Sequence, residues 1–209
     1  MARRYSWLVL IVLLLVGVFV VMRVLRTGGG LPPAGQDSPQ AVLRKLQRAI
    51  AEGDRAEFLE CFGARHANHQ AAEEDLFDYV EAAGKLRDTL RGAYGKNAWD
   101  TFVSAQANPA QFTAFLWPRD EDVAAAAAVA IQGNEARVEL PPREPFTLKL
   151  EGVWRIEIFP HGSGVRAQRE ALAKATEALR RARGDVGRPG ATPESIGQNV
   201  RKQLGGATE

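Results

Sequence analysis

The sequence predicts an α+β protein: N-terminal helices packed on a curved antiparallel sheet, preceded by one transmembrane helix and followed by a helical tail. Three observations carry this. Residues Trp7 to Met22 are an unbroken run of apolar residues and Gly. Apolar residues then recur at helical spacing as far as Ala105. Past Val123 they alternate, with Gly133-Asn134 as a hairpin signal. The length of 209 residues suits one domain with extensions, and a composition one quarter charged excludes wholesale disorder. The expected divisions are 1–26 as anchor, 27–37 as flexible linker, 38–162 as the domain and 163–209 as a C-terminal helical extension.

The apolar run, 16 residues, spans roughly 24 Å at about 1.5 Å per residue. Ser6, Val24 and Leu25 extend it toward the ~30 Å hydrocarbon core, with Arg23 snorkelling to the interface. It ends in Arg23-Val24-Leu25-Arg26, which offers no small-residue cleavage site. The single cysteine, Cys61, lies too far downstream to carry a lipid. The expectation is an uncleaved signal anchor in the cell membrane, single-pass, with the C-terminal part outside the cytoplasm. Arg3 and Arg4 before the span and Arg23 and Arg26 after it polarise the orientation only weakly. Subtracting these four from the net charge of +2 leaves −2 on the remainder. The overall positive charge therefore gives no case for a nucleic-acid partner. Arg far outnumbers Lys and Ala is abundant, a composition associated with GC-rich bacterial genomes.

Gly28 to Gly30 make the linker flexible, and Pro32-Pro33 stiffens its middle. Ser38-Pro39 is a helix start, with Ser as N-cap and Pro at the first helical position. Val42, Leu46, Ala49 and Ile50 form the stripe of that helix. Gly53-Asp54 ends it and caps a second, Arg55 to Phe62, with Phe58, Leu59 and Phe62 inward. Residues 64–72 read as a loop or frayed helix start. A long helix follows from Glu73 to Tyr94, its acidic first turn Glu73-Glu74-Asp75 suiting the dipole. A short helix, Ala98 to Ala105, turns Trp99, Phe102 and Val103 to one side. A strand is expected from Val123 through Ile131, although the Ala124–Ala128 run favours helix by propensity. Ala136, Val138 and Leu140 alternate with Glu135, Arg137 and Glu139. Phe146, Leu148 and Leu150 do so with Thr147, Lys149 and Glu151. Glu151-Gly152 turns the chain into Trp154, Ile156 and Ile158. The period is helical again from Val165 to Arg183, with Val165, Leu172, Leu179 and Val186 every seven residues. Thr192-Pro193 starts a last helix to Leu204.

The opening helix with Ala49-Ile50-Ala51-Glu52-Gly53-Asp54 leading into Phe58-Leu59, and the closing Leu148-Lys149-Leu150-Glu151-Gly152-Val153-Trp154-Arg155-Ile156, resemble the nuclear transport factor 2-like superfamily. That cone-shaped fold is shared with SnoaL and ketosteroid isomerase. The resemblance covers Ser38 to Pro160 and implies a sheet curled around the helices. The small side chains of the Ala-rich strand leave room for a pocket; Phe112, Phe115, Trp117 and Trp154 are available to fill it instead. Catalytic members place acid and base groups inside the cone. The inward positions assigned here are Ala, Val, Leu, Ile, Phe and Trp, so no catalytic residue is expected. Tyr79, Asp78 and Tyr94 are the polar groups nearest to lining such a pocket.

Other chemistry-bearing residues have plain readings. His66 and His69, with Glu73 and Asp75 nearby, have ligand-like spacing, but lack the denser signature of a metal site and read first as a polar loop. No metal and no cofactor are expected. His161 reads as a turn residue and Cys61 as a small buried hydrophobe. Arg166, Arg169, Lys174, Arg180, Arg181 and Arg183 outweigh Glu170 and Glu177 on the late helix. That helix reads as a surface for anionic lipid or an acidic partner, as a partner to another helix, or as a helix docked on the domain.

The expected function is a membrane-anchored, non-catalytic binding or scaffold domain at the bacterial cell envelope, with a protein partner or a homo-oligomer. The layout resembles that of type IV secretion assembly components and of Mce-associated membrane proteins. The alternative is a SnoaL/isomerase-like enzyme acting on a small apolar substrate in the cone.

Overall fold

A computed structural model of the chain describes residues 36–63, 67–106, 123–140, 145–157 and 164–205. The run Trp7–Met22, the residues His66, Phe112, Phe115, Trp117 and His161, and strand position Ile158 lie outside them. Among the described residues no helix is long and apolar enough to cross a membrane.

Local capping chemistry sets the first helices where the sequence predicts them. Helix α1 is Pro39–Glu52: the Ser38 side chain accepts from the Ala41 N–H, and Gly53 closes the helix in the left-handed region at φ 70°. Helix α2 is Arg55–Glu60, with the Asp54 carboxylate accepting from the Glu57 N–H at 2.9 Å. Helix α3, Ala67–Tyr94, starts six residues before the expected Glu73. Its first turn therefore carries no acidic residue, and Glu73, Glu74 and Asp75 sit one turn further in. Each has a specific environment there: Asp75 meets Arg169, Glu74 lies 3.6 Å from Arg55, and Glu73 is buried. Helix α4, Ala98–Ser104, buries Trp99 and Phe102 as expected, their rings stacked at 5.1 Å.

The sheet is an antiparallel meander in the order β1-β2-β3-β4. Strand β1 is Ala128–Gln132, β2 is Glu135–Glu139, β3 is Phe146–Glu151 and β4 is Val153–Glu157. The expected start of β1 at Val123 is corrected. Residues Val123–Ala126 form a short helix, α5, and the strand begins only at Ala128. Alanine propensity wins over alternation at 123–126, where Val123 and Ala124 are buried. Beyond it the alternation holds. Ala136, Val138, Leu148, Trp154 and Ile156 face the core. Glu135, Arg137, Glu139, Lys149 and Glu157 lie on the other face, with Lys149 Nζ 2.5 Å from Glu157 Oε2. The far side of β4 is paired: the Trp154 N–H donates to the Gln36 carbonyl, and the Ile156 N–H donates to the Cys61 carbonyl at 2.8 Å.

Helix α6, Gly164–Asp185, lies along α3. Arg169 meets Asp75 near their first turns, and the Gly187 N–H reaches the Tyr94 hydroxyl at their far ends, so the two helices run parallel. The seven-residue stripe is the docking seam: Val165 and Leu179 are buried, and Leu172 and Val186 pack against the core. Helix α7, Pro193–Leu204, opens with a capping box between Thr192 and Ser195. It crosses α4 so closely that a Cβ on Gly197 would stand 2.7 Å from the Phe102 carbonyl oxygen. The Gln106 side-chain amide is buried at this crossing and donates to the Gly197 carbonyl at 2.9 Å. One core therefore includes Ala175, Ala178, Leu179, Ile196 and Val200 together with the sheet and the first helices.

Two predictions follow from this shared core. Leu179→Ala should lower the unfolding free energy of the whole body by about 2–5 kcal/mol, in one urea transition followed by circular dichroism. A helix folding apart from the rest would give a separate transition instead. Gly197→Ala should cost about 1–3 kcal/mol, because the methyl group meets backbone rather than a movable side chain.

Candidate functional sites

The polar residues expected nearest to a pocket do not converge. Tyr79 is buried, and its burial raises the phenol pKa. Asp78, one residue earlier, turns outward and accepts from Arg55 Nη1 at 2.9 Å. Tyr94 lies about four turns further along α3, roughly 22 Å away at ~1.5 Å per residue. Its hydroxyl donates to the Ala191 carbonyl and accepts from the Gly187 N–H, both at 3.0 Å. Tyr94 thus ties the end of α3 to the loop between α6 and α7. Around the inward sheet face, Phe58 packs against Phe62 at 4.9 Å and edge-on against Phe77 at 5.2 Å.

Lys45, Cys61 and Glu73 are among the charged or reactive groups held in the interior. Lys45 is buried but keeps its charge satisfied by Glu60 at 2.5 Å. The Cys61 thiol is fully buried and donates to the Glu57 carbonyl. Burial pushes its pKa up to about 12, against a smaller pull from Lys45. Glu73 is only 4% exposed. Burial pushes its carboxyl up to about 7, and the nearby Arg155 charge opposes the shift. The Arg155 Nε is itself buried with no hydrogen-bond partner. The sequence places Glu73 on a solvated first turn; its burial comes from long-range packing and has no local signal. Among the described residues no group of three His, Cys, Asp or Glu side chains is arranged to hold a metal ion.

The basic late helix is partly self-neutralised. Arg166 pairs with Glu170 at 3.0 Å, Arg181 with Glu177 at 2.9 Å, and Arg169 with Asp75 at 2.6 Å. Among the described residues, Lys174, Arg180 and Arg183 have no such pair. Arg180 and Arg183 flank a groove of about 580 Å³ between α6 and α3, with Lys85 and Glu81 on the opposite wall. Lys85 is bound to Glu81 at 2.8 Å. The groove therefore presents the guanidinium groups of Arg180 and Arg183 with no ion-pair partner among the described residues. A second groove of about 670 Å³, between α4 and α7, mixes both signs through Asp100, Glu194 and Arg201.

The remaining surface feature is the outer edge of the sheet. β1 reads Ala-Val-Ala-Ile-Gln and carries no charge. Ile131 is 55% exposed and Leu150 38%, the two large apolar side chains most open to solvent among the described residues. Compared with known proteins, the chain matches no family model, no curated protein and no solved structure.

The two buried titratable groups are directly testable. The Cys61 thiol should resist a maleimide at pH 8 in the folded protein and react at once in denaturant. Glu73 binds its proton more tightly folded than unfolded, so its contribution to stability is lost as pH rises from about 4.5 to about 7. Across that window Glu73→Gln should remove a loss of about 1–3 kcal/mol. An unchanged pH profile in the variant would show that the carboxyl is not held in this way.

Proposed function

We propose that the chain is a single-pass membrane protein of the bacterial cell envelope, whose body is a non-catalytic binding domain of the nuclear transport factor 2-like cone type, outside the cytoplasm. The observation that carries the non-catalytic part is the dispersal of polar groups. Asp78 is taken by Arg55, Tyr94 by the Gly187–Ala191 loop, and Lys45 by Glu60. The described residues of the inward sheet face are hydrocarbon, so among them proton transfer has no acid–base pair to use. The apolar run Trp7–Met22 with Arg on both flanks supports the anchor. Arg180 and Arg183, without an ion-pair partner among the described residues, support contact of the late helix with anionic lipid headgroups.

One observation favours the enzyme reading. Glu73 is a buried carboxyl poised near neutrality, as a general acid or base requires. In that reading Glu73 handles the proton. Its expected outcome is turnover of a small apolar substrate that Glu73→Gln abolishes while the fold survives.

The membrane reading has its own test. The full chain should sediment with membranes and resist carbonate extraction, and deletion of residues 1–26 should release it. Added protease should digest the body in spheroplasts and spare it in inverted vesicles. Recovery of a soluble chain processed near Arg26 would sink the retained anchor.

A further inference from the structure

We infer that the uncovered edge of β1 is a self-pairing surface, on which a second copy of this chain adds its own β1 antiparallel to the first. The parity of the sheet supplies the argument. The Leu150 N–H donates to the Asn134 carbonyl at 2.8 Å, so the even-numbered positions of β2 direct their backbone groups toward β3. The odd positions, Glu135, Arg137 and Glu139, therefore bond to β1, opposite Gln132, Ala130 and Ala128. That leaves the N–H and C=O groups of Val129 and Ile131 pointing away from the sheet, with no partner strand among the described residues.

Such an edge is ordinarily protected by a charge, a proline or a bulge. β1 has no charge and no proline, and its pairing with β2 runs unbroken through all five residues. Antiparallel pairing centred on Ala130 satisfies the edge in one register. Val129 then exchanges both backbone bonds with the second copy's Ile131, and Ile131 with the second copy's Val129. The half-exposed Ile131 gains an apolar cross-strand neighbour. On the opposite face Ala130 meets its own equivalent, and Ala128 meets Gln132, so no like charges are opposed.

An edge this short buries less than the roughly 800 Å² per partner of a standard interface. The pairing is therefore weak in free solution and depends on confinement in a membrane, which raises the effective concentration. In this respect it rests on the anchored reading above. Carbonate extraction reports on the anchor whatever the edge does, so a chain that resists extraction and fails to cross-link overturns the edge alone, and a chain that is extracted overturns the anchor first.

The test is cross-linking in native membranes with the full-length chain. Facing residues of a pair that is not hydrogen-bonded stand about 4.5 Å apart at Cα, within disulfide range. Ala130→Cys should give a disulfide-linked dimer on mild oxidation, at least tenfold more than Ala128→Cys or Gln132→Cys alone. Co-expressed Ala128→Cys and Gln132→Cys chains should cross-link to each other. This second measurement holds even where Ala130→Cys fails to accumulate. Adding Ile131→Lys should abolish the dimer while Cys61 stays protected from maleimide, which marks the fold as intact. Equal cross-linking at positions 128, 130 and 132 would overturn the register. A protein that stays monomeric in the membrane at all three would overturn self-pairing and leave the edge to a strand of another protein.

Discussion

The parallel packing of α6 along α3 is the contact around which the rest of the body is arranged. Helix α3 is the longest element, 28 residues, and it is used on more than one side. Toward α2 it offers Phe77 to Phe58 and Asp78 to Arg55. Toward α6 both helices bring small side chains to buried positions, among them Ala82 and Ala83 on α3 and Ala175, Ala178 and Ala182 on α6. Small side chains let helix axes approach closely. Ion pairing at Asp75 and hydrogen bonding at Tyr94 then fix the sliding of one helix along the other. Loss of that seam would open much of the apolar surface of α3 to water. It would also free the loop that carries α7 back to α4.

The interior is held mainly by hydrocarbon, and its polar members differ in kind. Lys45 and Gln106 are buried with partners, so their desolvation is offset by the bonds they make to Glu60 and the Gly197 carbonyl. Glu73 has no such bond and responds by holding its proton instead. Arg155, on the far face of β4, is too weak a counter-charge to reverse this. A carboxyl in this condition weakens the fold at neutral pH.

Elements fixed by local chemistry were legible in the sequence. Ser38-Pro39, Gly53-Asp54 and Thr192-Pro193 mark helix ends through caps that need only neighbouring residues, and each sits where those residues indicate. The alternation from Glu135 to Leu140 gave the sheet faces for the same reason. The start of α3 was obscured because Asn68, His69 and Gln70 are polar and no capping residue precedes them in a recognisable pattern. At Val123–Ala126 two local signals disagreed, and alternation carried into a run of alanines was the weaker guide. The burial of Glu73 and the seating of α6 depend on residues far apart in the chain, such as Asp75 and Arg169, 94 positions apart. No window of sequence contains both. The free edge needed the hydrogen-bond parity of neighbouring strands, which alternation alone does not supply.

That separation also bears on how the body comes into being. A ribosome makes α3 first, then the sheet, and only afterwards the helix that covers α3. The apolar flank of α3 therefore waits through the synthesis of nearly half the chain before its cover exists. Contacts this distant in sequence slow folding and lengthen the exposure of sticky surface.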